Sequence, residues 1–412
     1  MSTVTVGSLF SGYEGIGLAL KEVFDADPIW FSEFDKAASK VLAHHYPDVP
    51  NLGDITKIDW SVVTPPTIVC GGSPCQDMST AGKGAGMKAG TRSGLWSYMR
   101  DAIAALRPSL VVWENVRGAL SADADSDMEP CAGCVGDGDD GPVLRALGRV
   151  LGDLAGIGYD AAWTGLRAAD VGAPHGRFRV FVLAWPAAQD ADLAVGAERR
   201  FAAPGQAEGW GARADARGRD RAPVAEDRLT LLPTPAVNDM GAGKTVDAWD
   251  AWTASMQAKH GNGNGHGASL SIEALRLLPT PRATRGGSGT ETMYGLGAVR
   301  SDENRTQGQV LMPSAVQPVN FGRYTTAIER WEAITRPAPS PTEPTGKGGA
   351  QRLSPRFEEW MMDVPDGWIT DVPGVSHNDA IKMLGNGVVK SQAAAAIRHL
   401  LGIQANALRR AA

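Results

Sequence analysis

Between residues 4 and 185 the chain repeats one pattern: a short β-rich apolar run, a turn marked by glycine or proline, then a stretch with helical apolar spacing. Predicted strands are Val4–Phe10, Pro28–Glu33, Thr67–Gly72, Ser109–Glu114 and Arg179–Trp185. Predicted helices are Ile16–Phe24, Lys36–His45, Ser97–Leu106 and Val143–Gly156. Strands alternating with helices imply an α/β domain with a largely parallel sheet. In such sheets ligands bind beyond the carboxyl ends of the strands. Four polar or turn segments fall at those ends: Phe10–Gly12, Glu33, Pro74–Cys75 and Glu114–Asn115.

The pattern stops after Pro186. Residues 186–228 are rich in Ala, Gly, Arg and Asp without a clear period, and residues 229–350 are rich in Gly, Pro and Thr. A degenerate Leu-Leu-Pro-Thr-Pro repeat starts at Leu231 and Leu277, with a weaker copy at Leu311, but its uneven spacing excludes a regular solenoid. Pro337, Pro339 and Pro341 read as a stiff connector. Periodic order returns at Phe357–Met362, and Ser391–Leu401 reads as a final alanine-rich helix. A chain of 412 residues therefore predicts two lobes, or one domain carrying a large insertion.

Composition narrows the function classes. No apolar run is long enough to span a membrane, and the first residues lack the basic-then-apolar pattern of a secretion signal. Four cysteines in this length are not a disulfide framework, so a reducing cytoplasm is expected. Cys131 and Cys134 form a lone CxxC; with no second pair, incidental cysteines in an acidic insertion are preferred to a zinc site, and no metal is expected. The net charge of −6 argues against a polyanion-coating protein. It is uneven: residues 1–159 hold 12 Lys and Arg against 20 Asp and Glu, while residues 160–412 hold 28 against 26. The second part is the better candidate for a nucleic-acid face.

The strongest local signal is Gly71-Gly72-Ser73-Pro74-Cys75-Gln76, a cysteine just past a strand and behind a rigid proline. A glycine-rich loop with Lys83, Lys88 and Arg92 follows, suited to closing over a phosphate-bearing substrate. A thiol there becomes a nucleophile when its surroundings favour the thiolate. Glu114 ends a buried strand, where a carboxylate is costly unless paired or used. Glycines in Phe10-Ser-Gly12-Tyr-Glu-Gly15 let the backbone approach a ligand, and Glu33 ends the next strand, where an acidic residue can hold ribose hydroxyls.

Taken in order, Phe10-x-Gly12, Glu33, Gly53-Asp54, Pro74-Cys75-Gln76, Glu114-Asn115-Val116, Arg177-x-Arg179 and Gly385-Asn386-Gly387-Val388 resemble the cytosine-C5 DNA methyltransferases. The resemblance covers roughly residues 4–185 and 352–400, and Leu353–Trp368 looks most like the phage and actinobacterial type. It implies a Rossmann-like mixed sheet binding S-adenosyl-L-methionine, with a smaller irregular target-recognition lobe. Residues 1–185 completed by 370–412 would form the catalytic domain, and 186–369 the recognition region.

The same resemblance assigns roles. Cys75 would add to cytosine C6, Glu114 would protonate or hydrogen-bond N3, Arg179 would contact O2, and Arg177 would support the site electrostatically. The cofactor would be lined by Phe10, Gly12 and Gly15, with Glu33 at the ribose, Asp54 at the adenine amine, Pro74 at the adenine or methionine side, and Asn386 completing the pocket. Gln76, Lys83 and Arg92 would lie on the loop that closes over a flipped base in double-stranded DNA. The base that removes the C5 proton is not identified. A monomer in a bacterial cell or phage-infected host is implied, with or without a cognate restriction endonuclease. RNA methylation on the same scaffold and an inactive DNA-binding relative are the alternatives. A nicotinamide enzyme fits less well, because the turn lacks full G-x-G-x-x-G spacing.

Several positions depart from the family pattern. Glu14 stands where glycine is usual, His175 where glutamine is usual, and Gly387 where serine or alanine is common. Phe357 and Trp360 replace a usual Glu and Arg. A carboxylate at Glu14 is expected either to cap the following helix or to change cofactor affinity.

Overall fold

The computed structural model describes residues 3–74, 95–120, 123–124, 144–187, 230–260, 267–277 and 321–411. Cys75, Gln76, Lys83, Arg92, Cys131 and Cys134 lie outside the described residues, as do 188–229 and the third copy of the proline repeat.

The elements follow in chain order as β1 (Thr5–Leu9), α1 (Gly15–Phe24), β2 (Asp27–Ser32), α2 (Lys36–His45), β3 (Ile68–Gly71), α3 (Trp96–Leu106), β4 (Leu110–Val116), β5 (Asp123–Ala124), β6 (Leu144–Arg145), α4 (Ala146–Gly156), β7 (Tyr159–Arg167) and β8 (Phe178–Pro186). Then come α5 (Val246–His260), α6 (Leu270–Arg276), α7 (Thr325–Glu332), β9 (Thr342–Glu343), β10 (Arg352–Leu353), α8 (Pro355–Met361), α9 (His377–Asn386) and α10 (Lys390–Ala411).

Six strands form one sheet in the order β2-β1-β3-β4-β8-β7. The first four pair in parallel, with Ser8 of β1 opposite both Phe31 of β2 and Cys70 of β3. β8 runs antiparallel to both β4 and β7, so the sheet is mixed. The alternation of strands and helices had predicted a largely parallel sheet; the difference comes from β7, which that reading lacked. β7 is a half-exposed edge strand in which the large apolar residues Tyr159, Trp163 and Leu166 are scattered among small and polar ones, so it shows neither the apolar run of an inner strand nor clean alternation.

Each inner strand buries both faces, because helices cover the sheet on both sides. In β4, Val111 and Trp113 point towards α3 and α4, where Trp96, Met99, Ile103, Val150 and Leu154 meet them. Leu110 and Val112 point the other way, towards Ala19 and Leu20 of α1 and Ala393, Ile397 and Leu400 of α10. Each such large side chain contributes about 1.5–3 kcal/mol by leaving water. α10 continues ten residues past the expected Leu401, to Ala411. A third cluster joins Tyr13 and Val41 to α7, α8 and α9 through Ile328, Trp331, Phe357, Trp360 and Leu384.

Helix starts follow local chemistry. Asp35 accepts from the amides of Ala37 and Ala38 and so opens α2. Ser376 and Asp379 form a capping box at α9. Pro355 occupies the first turn of α8, where its missing N–H costs nothing. Phe357 and Trp360 are fully buried in the third cluster, so those two departures from the family pattern are core packing.

Candidate active site

A cavity of about 510 Å³ opens at the carboxyl ends of β1–β4 and is closed on one side by the end of α9. All seven residues expected to hold a cofactor line it: Phe10, Gly12, Gly15, Glu33, Asp54, Pro74 and Asn386. Glu114 and Arg179 line the same cavity.

The β1–α1 turn is set by its backbone. Phe10, Gly12 and Glu14 all have positive φ, at 52°, 55° and 70°. This turns the Gly12 amide onto Glu33, whose Oε2 it meets at 2.8 Å. Glu33 Oε1 accepts from the Asp35 amide at 2.6 Å. Burial raises the Glu33 carboxyl above the usual carboxylate range, and these amides draw it back. Each oxygen keeps a lone pair for a further donor. Asp54 is held below its usual range by the Thr56 hydroxyl and amide, at 2.8 and 3.1 Å.

At the other end of the cavity, Arg179 Nε lies 2.7 Å from Glu114 Oε1. Glu114 is only 8% exposed. Burial raises its carboxyl, while Arg179 and then Arg177 oppose that shift. The Ser73–Pro74 turn between the two halves is fixed from β4. Trp113 Nε1 donates to Ser73 Oγ at 3.0 Å, and Asn115 Nδ2 donates to the Ser73 carbonyl at 3.0 Å.

Arg177 is not in the cavity wall. Its guanidinium donates to the carbonyls of Pro235 (3.1 Å), Gly385 (2.9 Å) and Gly387. It thereby ties the start of β8 to the segment before α5 and to the end of α9. His175, two residues earlier, is fully buried between the Met361 carbonyl (3.1 Å) and the Arg177 amide (3.4 Å). Burial holds its imidazole down to about 3, so it is neutral at physiological pH.

Sequence reasoning missed several residues here. Tyr13 donates to the Val388 carbonyl at 2.7 Å, and its ring fills the space beside Gly387, where a Cβ would lie 2.1 Å from Tyr13 Cε1. Gly387 departs from the usual serine or alanine because Tyr13 takes that volume. Phe34, 78% exposed, lines the cavity beside Glu33; an aromatic following a strand-end carboxylate was the available signal. Lys382 pairs with Asp35 across the cavity rim at 2.6 Å. Among the described residues no group of three or more His, Cys, Asp or Glu could hold a metal, and no helix is long and apolar enough to cross a membrane.

Carboxylates at the strand ends and a paired glutamate–arginine thus share one cavity, at the end of the sheet where open α/β folds bind ligands. The family model for C-5 cytosine-specific DNA methylases matches residues 4–401, and the chain belongs to that family. It is 30% identical over 187 residues to the type II methyltransferase M.NlaIV of Neisseria lactamica, covering 44% of this chain and 41% of that one. It is 36% identical over 134 residues to a protein of Escherichia phage P1 named a DNA N-6-adenine-methyltransferase, covering 30% of this chain and 18% of that one. The chain thus spans less than half the length of these curated relatives. It also aligns with the crystal structure of S. pombe Dnmt2 methyltransferase at a TM-score of 0.44 and 13% identity, covering 97% of this chain and 99% of that one.

Proposed function

We propose that the chain transfers a methyl group to C5 of cytosine in double-stranded DNA, with S-adenosyl-L-methionine as donor. The observation that carries this reading is one cavity holding both a cofactor cradle and the buried Glu114–Arg179 pair, with Pro74 between them. The cradle fits the donor: Glu33 presents acceptors for a ribose diol, Asp54 one for an amine, and Phe34 an aromatic face for a purine. A volume near 510 Å³ is in the range of small-molecule sites. When bound, the cofactor supplies an electrophilic methyl group.

The chain's own residues would do the rest. Cytosine C5 is a poor nucleophile until a thiolate adds to C6. Cys75, bonded directly to Pro74, is the thiol placed by sequence at this cavity. Glu114, raised by burial, suits proton donation or a hydrogen bond to N3 as charge develops there. Arg179 orients Glu114 and offers donors to the cytosine O2. Arg177 adds a second positive charge felt by Glu114. Loss of the C5 proton and elimination then release Cys75. Because C6 is stacked inside a duplex, the base must be extruded. Gln76, Lys83 and Arg92 would follow it from the loop after Cys75, and residues 186–369 would read the target. On this reading the partner is DNA, and the setting a bacterial cell or phage-infected host.

Expression in a host lacking cytosine methylation, followed by base-resolution sequencing for 5-methylcytosine, tests the reading. Methylation within one short motif, absent with Cys75→Ser, is expected. Unmodified DNA despite soluble protein would overturn it.

A further inference from the structure

Glu14 is the one residue of the Ser11–Ile16 turn that does not line the cavity. Its neighbours Ser11, Gly12, Tyr13, Gly15 and Ile16 all do. The side chain is 2% exposed and turns back beneath the turn, where Ser8 Oγ donates to Oε2 at 2.7 Å. It makes no cap bond to α1, so the capping role expected from sequence is not the one it takes. The second oxygen, Oε1, is buried without a hydrogen-bond partner. It sits against Gly17, where a Cβ would lie 1.8 Å from it. Glu14 and Gly17 are therefore a matched pair three residues apart: only a glycine leaves room for the carboxyl.

The backbone at Glu14 carries the turn. Its amide donates to the Ser11 carbonyl at 2.8 Å, and its carbonyl accepts from Leu18 at 2.9 Å. Its φ of 70° is in the left-handed region, which a non-glycine residue adopts at a cost unless its side chain is held. The Ser8 bond supplies that hold.

Burial is the largest influence on Glu14 and favours the neutral carboxyl; the Ser8 hydroxyl, as a donor, opposes it, and the Glu33 carboxylate adds to it. The groups acting on Glu14 are the Ser8 hydroxyl and, at longer range, the Glu33 carboxylate. Cys70 and Tyr46 in turn feel its charge. None of these is a cation. Burial accordingly pushes the Glu14 carboxyl up to about 8. Ionisation without a counter-charge would draw the side chain out towards water. That would break the Ser8 bond and release the left-handed turn that points the Gly12 amide at Glu33.

We propose that Glu14, as a buried neutral acid seated on Gly17, is a positioning residue that holds the cofactor turn, so that cofactor binding weakens once Glu14 ionises. This deepens the proposed function and rests on it.

The test measures S-adenosylhomocysteine binding by calorimetry from pH 6.5 to 9.5, together with urea unfolding, for the wild type, Glu14→Gln, Gly17→Ala and the double variant Glu14→Gly/Gly17→Ala. The probe lacks the sulfonium charge, so direct attraction to an ionised Glu14 does not mask the geometric effect. Dividing wild-type by Glu14→Gln affinities removes titration of the probe itself. Wild-type Kd should rise about tenfold, relative to Glu14→Gln, between pH 7 and 9. Gly17→Ala should weaken binding and stability at pH 7, and removing the Glu14 side chain should restore both. A ratio constant within about twofold across the range would overturn the proposal, as would a double variant no better than Gly17→Ala. No binding by the wild type at any pH would instead refute the cofactor reading, and with it any cofactor to position. Unfolding would then still report whether Glu14 and Gly17 are paired.

Discussion

Replacing Arg177 with methionine keeps much of its volume and removes its charge and every donor. Arg177 is 3% exposed, and its guanidinium serves the carbonyls of Pro235, Gly385 and Gly387, which come from two separate chain segments. A buried acceptor left without its partner costs about 1–3 kcal/mol. Three of them, partly relieved by water entering from the adjoining cavity, give a loss on the order of 3–6 kcal/mol. That is a large share of a domain's total of about 5–15 kcal/mol. Urea unfolding followed by circular dichroism measures it, and hydrogen exchange locates it. Amides near Pro235 and at the end of α9 should lose protection before those in the sheet. Arg177→Lys should recover part of the loss, since an ammonium can reach one or two of the carbonyls but not all three. A loss under about 1 kcal/mol for Arg177→Met, or unchanged exchange near Pro235, would refute the clamp.

His175 makes stability acid-sensitive. Its folded value of about 3 lies below the unfolded 6.5, so the unfolded chain binds the extra proton between them. Stability should be intact above pH 6.5 and fall by up to about 1.4 kcal/mol per unit as pH drops towards 3, a slope that His175→Gln should flatten in unfolding at pH 4–7. Gly387→Ala should cost about 1–3 kcal/mol by overpacking against Tyr13, and thermal melts should show Tyr13→Leu relieving much of it. If the proposed function holds, Glu114→Gln should lower the methylation rate by at least about 10²-fold in a tritiated-methyl transfer assay while leaving cofactor affinity within a few-fold, because the proposal gives this group to the base.

Much of this site was legible because it lies where short apolar strands end. Gly12, Glu33 and Pro74 stand one to three residues past β-rich runs and Glu114 near the end of another, which continues to Val116, and the sheet brings those ends together. α2 was read to the residue, since Asp35 starts it and Tyr46-Pro47 stops it. β7 was not read, because Tyr159, Trp163 and Leu166 stand four and three residues apart, off the two-residue period of a half-buried strand. Arg177 was read as an electrostatic aid, yet its hydrogen-bond partners are main-chain carbonyls, which leave no trace in the identity of Pro235, Gly385 or Gly387. The Tyr13–Gly387 fit escaped for a different reason. It is a volume exchange between residues far apart in sequence, and each half looks unremarkable alone.

The bond from Tyr13 to Val388 joins residues 375 positions apart. It has a consequence for how the protein is made. At a ribosomal pace of about 5–20 residues per second, roughly 20–75 s separate the synthesis of these two residues. During that interval the nascent chain holds α1 without α10 to cover it, and Ala19 and Leu20 remain open to solvent or to a chaperone. The cavity cannot be completed from its amino-terminal parts alone, because Lys382, Met383, Asn386, Gly387 and Val388 also line it. The wall formed by Lys382–Val388 is made long after the strands it faces, so the cavity closes only once that segment has left the ribosome.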